Sequence, residues 1–275
     1  MLASRFGIAV LGVSLFATAP ALAQELSSSH AEIAAAETNL NISVGFMHTN
    51  YSEGALDSEN GFTPGFGVGA GVLLPAAWPN IDYYSAFSYR FNAGNLTYNG
   101  HYLVSGAPLT ATDRAVFNNI DARIGLGFPL NGGALEVIPF LAAGYQSWNR
   151  NIDVNHALST DEFYSSALVG GGVKLDVPLT STIVASGSAE MLAMVGNHID
   201  GNSIGVDFGM GNSAQERVSL GVDDALYGPW HLQATANLSH INYAGSKPTV
   251  ETYGFYEPLS NTTQVGVNLG VSYSF

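Results

Sequence analysis

The sequence contains no cysteine, which excludes disulfide bonds and thiolate chemistry. Charge is also scarce: Asp, Glu, Lys and Arg make up 11% of the 275 residues, less than half of the roughly 25% that is usual in soluble globular domains. Only 8 residues are Lys or Arg, against 22 that are Asp or Glu. This balance argues against nucleic acid as a partner, because nucleic acid selects clustered basic side chains.

Glycine is abundant instead, with 32 residues, and Ser, Asn and Thr accompany it. The hydrophobic share of 47% is ordinary. The chain therefore does not read as a bundle of membrane helices, and no apolar run after the first residues reaches the ~18 that such a helix needs. The aromatic share of 11% supplies enough apolar surface for a folded structure. This combination is unusual for a soluble enzyme.

Residues 1–23 have the features of a secretory signal peptide. Arg5 gives a positive start, an apolar stretch follows over 6–16, and Ala21-Leu22-Ala23 is a small-x-small cleavage site. We therefore predict export, with cleavage between Ala23 and Gln24. Residues 24–39 form a distinct segment in which 31–37 suits a short helix. We interpret it as a short periplasmic N-terminal segment that precedes the main domain, 40–275.

From Leu40 onward, apolar residues recur at every second position, which is the period of a β-strand with two different faces. The last segment is the clearest example, since every odd position from Val265 to Phe275 is apolar and every even one is small or polar. The apolar alternation is less regular in the seventh segment, so a count of eight or twelve strands is left as an alternative. The pattern marks about ten segments: 40–46, 65–72, 83–92, 119–128, 135–146, 169–177, 183–195, 217–222, 230–239 and 264–275.

The connections between these segments alternate strictly between long and short. The short ones, such as Pro129-Leu130-Asn131-Gly132-Gly133 and Gly228-Pro229, carry turn residues. The long ones fall at about 50–61, 99–115, 149–161, 197–215 and 245–262. Tight turns at one end and long loops at the other are typical of a meander of antiparallel hairpins.

The apolar face of this meander is predicted to contact lipid, and the polar face to line a lumen. We therefore predict an all-β fold, a transmembrane antiparallel up-and-down β-barrel. A salt-bridged charge network is expected to fill the lumen: Arg90, Asp121, Arg123, Glu136, Lys174, Asp176, Glu190 and Arg217. An aromatic girdle is expected near the short turns, from Trp78, Tyr83, Phe128 and Trp230, and Trp148 is assigned to a second girdle toward the loops.

The chain resembles the Gram-negative outer-membrane β-barrel proteins, and its C-terminus carries the most specific likeness. Such barrels end in a strand that finishes with an aromatic residue, and Asn268, Gly270, Tyr273 and Phe275 fall on the positions of this signal. The resemblance implies recognition of the last strand by the barrel-assembly machinery. It also implies a cell outer membrane location, with outer-membrane lipid and lipopolysaccharide as partners.

The sequence signals for a catalytic site are weaker than those for the fold. The chain is similar to the omptin surface proteases in strand count and length, and those enzymes use an Asp pair opposite an Asp-x-His pair. Here Asp113 stands alone, His198-Ile199-Asp200 has the reverse order, and Asp153 and His156 form a further pair. The His-x-Ser pair of lipid A deacylases is absent at His231 and His240. Asp200, Asn202 and Asp207 lack the ligand spacing of a known Ca²⁺ loop.

The sequence therefore predicts a structural, surface-interacting barrel with acidic loops and a largely plugged lumen. No cofactor, metal site or catalytic residue is assigned, and the surface ligand stays open. Two alternatives remain: a narrow porin-like channel for small polar solutes, in which the lumen charges set ion preference, and an omptin-like surface hydrolase.

Overall fold

The structure, a computed structural model, describes residues 28–54, 57–102, 105–153, 160–201, 205–247 and 256–275. The predicted signal peptide lies outside these residues. Within the described ranges, the elements are one helix, α1 (Ser28–Glu37), and eleven strands: β1 (Asn39–Glu53), β2 (Asp57–Trp78), β3 (Ile81–His101), β4 (Pro108–Leu130), β5 (Leu135–Asp153), β6 (Thr160–Pro178), β7 (Ile183–Gly201), β8 (Val206–Gly209), β9 (Ser213–Tyr227), β10 (Trp230–Tyr243) and β11 (Ser260–Ser274).

The strands form one antiparallel sheet that closes into a ring. Sequential neighbours pair along the meander, and the first and last strands complete the closure, from Asn39 opposite Ser274 to Glu53 opposite Ser260. The short β8 and the longer β9 both pair with β7, so together they act as one interrupted strand. The barrel thus has the wall of a ten-stranded up-and-down barrel, and the predicted fold class is confirmed.

The strands are longer than predicted. β2 to β7 contain 19 to 23 residues each, about twice the ~9–11 that cross a membrane. The predicted long connections 50–61 and 99–115 are therefore mostly strand, since only 54–56 and 102–107 separate β1 from β2 and β3 from β4. We call this the loop end. The other end, with connections 79–80, 131–134, 179–182 and 228–229, is the turn end.

The turns at the turn end are tight, and their sequence explains them. Asn80, Asn131 and Gly228 have positive φ angles of 59°, 52° and 54°, a region that Asn and Gly tolerate best. β2 runs to Trp78, with a bulge between Leu74 and Trp78. The connection to β3 is therefore shorter than the gap between the predicted segments 65–72 and 83–92.

The outer surface carries a continuous apolar band. Outward residues such as Val44, Leu141 and Leu269 are among its exposed aliphatic side chains. The last apolar positions toward the loop end include Phe46, Phe62, Ile120, Tyr145, Leu238 and Val265. Beyond them the same outer face becomes polar, with Asn50, Asn60, Arg114, Asn149, Asn242 and Asn261. We define the segments between this level and the turn end as membrane-spanning.

Aromatic residues flank the band at the turn end. Trp78 and Trp230 are exposed there, and the Trp230 ring meets the Tyr273 ring edge-on at 5.2 Å. Tyr83 and Phe128 are half-buried at the same end. Trp148, in contrast, does not belong to an outer girdle: it is buried inside the barrel. Along β5 it lies an even number of residues from Glu136 and Gln146, so its side chain points inward as theirs do. The assignment of Trp148 to an outer girdle was therefore wrong.

Helix α1 lies inside the turn end and contacts β2, β5, β6, β7 and β11. Ile33 and Ala36 are buried in one apolar cluster with inward-facing residues such as Leu73 and Ile138. Gly71 allows the close approach of the helix end, because a Cβ there would lie 2.5 Å from the Glu37 carbonyl oxygen. The described part of the N-terminal segment is thus a plug rather than a free lead-in. No helix among the described residues is long and apolar enough to cross a membrane.

Candidate functional site

A layer of five charged side chains crosses the middle of the lumen. Arg217 reaches Asp121 at 2.6 Å and Glu190 at 3.4 Å, and Arg123 reaches Glu190 at 2.9 Å. Arg90 lies 3.8 Å from Asp121. These residues come from β3, β4, β7 and β9, so the layer spans the barrel. Two carboxylates stand against three guanidinium groups, and each charge has an opposite charge beside it, as a confined interior requires.

Lys174 and Glu136, also predicted for the lumen network, lie nearer the turn end. Lys174 bonds Glu37 of α1 at 2.7 Å and also pairs with Asp176 on its own strand. Glu136 faces His30 of α1, with 3.7 Å between Oε2 and Nε2, and Asp82 is 2.5 Å from the same nitrogen. The structure therefore divides the predicted network into a central charge layer and a floor that holds the helix.

A cavity of about 270 Å³ separates the helix from the charge layer. Glu37 and Lys174 line one part of it, and Arg90 and Arg123 another, with small polar residues such as Ser43 and Thr235 between. Glycines on β2 and β11 contribute to its wall. This volume has room for water around the charged groups, but α1 and the charge layer lie on either side of it.

Toward the loop end, aromatic side chains fill the lumen. Trp148 stacks on Phe117 at 5.2 Å and contacts Tyr51 and Tyr164 at 5.4 and 5.3 Å. Tyr243 continues the layer, 5.8 Å from Tyr164. The rings come from β1, β4, β5, β6 and β10, and all five side chains are buried. Leu192 and Met194, which blurred the pattern of the seventh segment, are buried in the same cluster.

Arg150 lies above the aromatic layer and organises the mouth. It binds Glu59 at 2.6 Å and Glu162 at 2.7 Å. Its guanidinium lies 4.9 Å from the Tyr51 ring centroid, a cation–π distance. Arg150 was not among the predicted lumen residues, because it lies in the predicted connection 149–161. Arg150 lies two residues after Trp148, on the same face of β5, and this alternation could have identified it as an inward residue.

Two further carboxyls of the mouth have few cations around them: Asp113 is buried, and Glu257 is half-buried. Burial and the nearby Glu162 and Glu53 raise the pKa of Glu257 to about 8, although Tyr164 donates a hydrogen bond to it at 2.8 Å. Burial and Glu59 raise the pKa of Asp113 to about 8, against the opposing effect of Arg150. Both raised pKa values favour the protonated carboxyl at neutral pH.

Those candidate catalytic residues that the structure describes are not assembled into a site. His198 lies 3.2 Å from Asp207 and does not pair with Asp200. The side chains of His198 and Asp207 are both solvent-exposed, on the paired strands β7 and β8. Asp113 is buried in the mouth, where it accepts a hydrogen bond from the Asn151 amide at 2.6 Å. His156 and Asn202 lie outside the described residues. Among the described residues, no nucleophile and base from these candidates are brought together.

A closed antiparallel meander with an apolar outer band and a charged interior is the fold of the outer-membrane β-barrel proteins. Among solved structures, the chain is similar to the outer membrane protease OmpT from Escherichia coli, with a TM-score of 0.51 and 9% identity over 86% of this chain and 97% of that one. The transport unit of the autotransporter AIDA-I from Escherichia coli aligns with a TM-score of 0.49 and 12% identity over 95% and 94%. At such identity the likeness to OmpT concerns the fold alone. No protein-family model and no curated protein sequence matches the chain.

Proposed function

We propose that the protein is a closed outer-membrane barrel that acts at the cell surface through its loop end. The turn end then faces the periplasm, and export uses the leader that ends at Ala23. The apolar band supports insertion in a membrane, because its exposed aliphatic residues would be costly in water. We also propose that the barrel-assembly machinery reads β11 through Asn268, Gly270, Tyr273 and Phe275. In the structure Tyr273 and Phe275 lie exposed on the outer face.

The occlusion of the lumen carries this proposal. A solute would have to pass the aromatic layer around Trp148, the charge layer around Arg217 and helix α1, which lie in succession along the barrel. Each obstacle contains buried side chains that bond or pack with their neighbours, such as Trp148, Arg217 and Ile33. Opening a path would separate buried ion pairs and aromatic contacts, so the closed state is strongly favoured.

The loop end is acidic, which points to its partners. Asp207 is 67% exposed at its side chain, and Glu216 is exposed on the outer face of β9 at the same end. Further acidic residues there are half-buried and reach solvent: Asp57, Asp153, Asp161 and Asp200. Arg114 and Lys247 are the basic residues exposed there among the described ones. Such a surface favours cationic ligands, or lipopolysaccharide bound through divalent ions, over anionic partners.

Planar-bilayer conductance tests the closed state. We expect the purified full-length mature protein to insert without stable conductance steps, while a porin in the same bilayers produces them. Insertion is verified independently by heat-dependent migration on a denaturing gel. Steady steps whose ion preference changes in Arg123→Gln would contradict the proposal and establish the narrow channel instead. A silent barrel would remove the channel alternative.

A further inference from the structure

We propose that His30, Asp82 and Glu136 form a binding site for one divalent transition-metal ion, of which Zn²⁺ is the best fit, and that this ion fastens α1 to the floor of the barrel. The three residues come from α1, β3 and β5. The site would therefore join the plug to two strands of the wall. It does not depend on the surface role proposed above, because a conducting barrel could carry it as well.

The three side chains already converge. One ligand atom from each lies within 4.8 Å of the others, and all three residues are buried. His30 Nε2 is 2.5 Å from Asp82 Oδ2 and 3.7 Å from Glu136 Oε2. Zn²⁺ with ligands at ~2.0–2.2 Å places neighbouring ligand atoms roughly 3.4 Å apart. An ion therefore needs His30 and Asp82 to separate by only about 1 Å, while the 3.7 Å between His30 and Glu136 is already close to the required spacing.

Glu136 supplies an independent reason for an ion. Its side chain is 0% exposed, and neither carboxylate oxygen has a hydrogen-bond partner. The nearest lysine of the floor, Lys174, is engaged by Glu37 and Asp176. A buried carboxylate without a donor is strongly unfavourable. A divalent cation bound to Asp82 and Glu136 would neutralise both.

The ligand types select the class of metal. One imidazole nitrogen with two carboxylate oxygens suits Zn²⁺ and related transition-metal ions, whereas Ca²⁺ and Mg²⁺ prefer oxygen ligands alone. Asp82 is also held in position, because its Oδ1 accepts a hydrogen bond from the Ala76 amide at 2.7 Å. Such support of a ligand by a neighbouring donor is usual at metal sites. Three protein ligands leave a fourth position for water.

Calorimetric titration of the mature protein with Zn²⁺ tests the site. The protein is refolded in detergent without lipopolysaccharide and stripped with EDTA before the titration. We expect one ion per barrel, and a loss of affinity of at least about 100-fold in Glu136→Gln and His30→Ala, because each removes a ligand. X-ray absorption should show one nitrogen ligand with oxygen ligands.

His231→Ala is the matched control. His231 is buried at the turn end and lies 2.5 Å from Asp223, but this pair belongs to no group of three potential ligands among the described residues. The control should keep the 1:1 binding. Folding of every variant is checked by heat-dependent migration, and Asp82→Asn replaces any variant that fails it. Absence of binding in the wild type, an oxygen-only ligand shell, or unchanged affinity in both ligand variants would overturn the site.

Zn²⁺ should also change the plug itself. If the ion fastens α1, amide hydrogen exchange of 28–37 should slow on adding Zn²⁺ and return to its metal-free rate on adding EDTA. The same addition should leave exchange of 28–37 unchanged in Glu136→Gln. Binding without any change in the protection of α1 in the wild type would contradict the fastening role.

Discussion

Arg217 divides its guanidinium between Asp121 and Glu190, and it also donates to Gln215 Oε1 at 2.9 Å. Replacing it with Met leaves buried carboxylates with incomplete partners. We predict that Arg217→Met lowers the free energy of unfolding by about 3–5 kcal/mol, the usual cost of breaking a buried pair from one side. Denaturant unfolding of the detergent-refolded protein, followed by Trp fluorescence, measures this loss.

Arg114 offers the control for Arg217. Its side chain is 66% exposed, and its partner Asp153 lies 3.5 Å away outside the membrane-spanning segments. Arg114→Met should change stability by less than about 1 kcal/mol, because exposed pairs contribute little. Equal losses in the two variants would show that the lumen layer does not stabilise the barrel beyond a surface pair.

Single residues also show where prediction from sequence stopped. The parity of each strand places the predicted lumen charges on one face of the strand, but it cannot indicate which of them meet. Arg217 and Asp121 are 96 residues apart, and Arg150 and Glu59 are 91 apart. Such pairs depend on strand register and on the tilt around a closed ring. Neither can be read from one strand at a time.

Among the elements, the strands were predictable and their ends were not. Alternation continues in β1 through Tyr51 and Glu53, but the outward positions above the membrane are polar, such as Asn50. A strand with polar outward residues has the composition of a loop, so the predicted connections were too long. The helix within 31–37 was expected from composition, whereas its place in the lumen depends on contacts with Lys174 and Asp82 that lie far away in sequence.

The last strand allows a test of the assembly signal. Phe275 follows β11, is 63% exposed and contributes little to the interior. We predict that its deletion lowers the outer-membrane yield several-fold but leaves refolding in detergent nearly unchanged, because the proposed signal acts through the assembly machinery and not through contacts within the barrel. Phe46→Ala is the control, since Phe46 has the same exposure on the adjacent strand. Similar cellular yields for the two variants would argue against a signal at the terminus.

For the whole molecule, composition predicted more than any motif did. Low charge and abundant glycine indicated a barrel with lipid outside and crowded polar residues inside, and the closed ring has this arrangement. The upper lumen differs, because aromatic residues such as Trp148 and Tyr164 fill it instead of small polar ones. The alternation of these residues already indicated that their side chains point inward. The sequence did not indicate how far the strands extend beyond the membrane, so the apolar interior at the loop end was unexpected.

This interior at the loop end makes the stability of the molecule depend on pH. In the unfolded chain, Glu257 and Asp113 ionise near 4.5 and 3.8, whereas in the folded barrel the pKa of each is raised to about 8. Between these values the folded state retains protons that the unfolded state releases. The stability associated with them is therefore present at acidic pH and is lost as pH rises toward 8.

We predict that the denaturant midpoint of the refolded protein falls between pH 5.5 and pH 8.5, and that Glu257→Gln with Asp113→Asn reduces this fall. Both changes imitate the protonated carboxyl. The surrounding charges, Glu53, Glu59, Glu162 and Arg150, remain in place. Glu216→Gln, at an exposed acid of the same end, should retain the wild-type pH dependence. A wild-type midpoint that rises across this range would show that the mouth carboxyls are ionised in the folded barrel, and an equal fall in the double variant would assign the pH dependence to other groups.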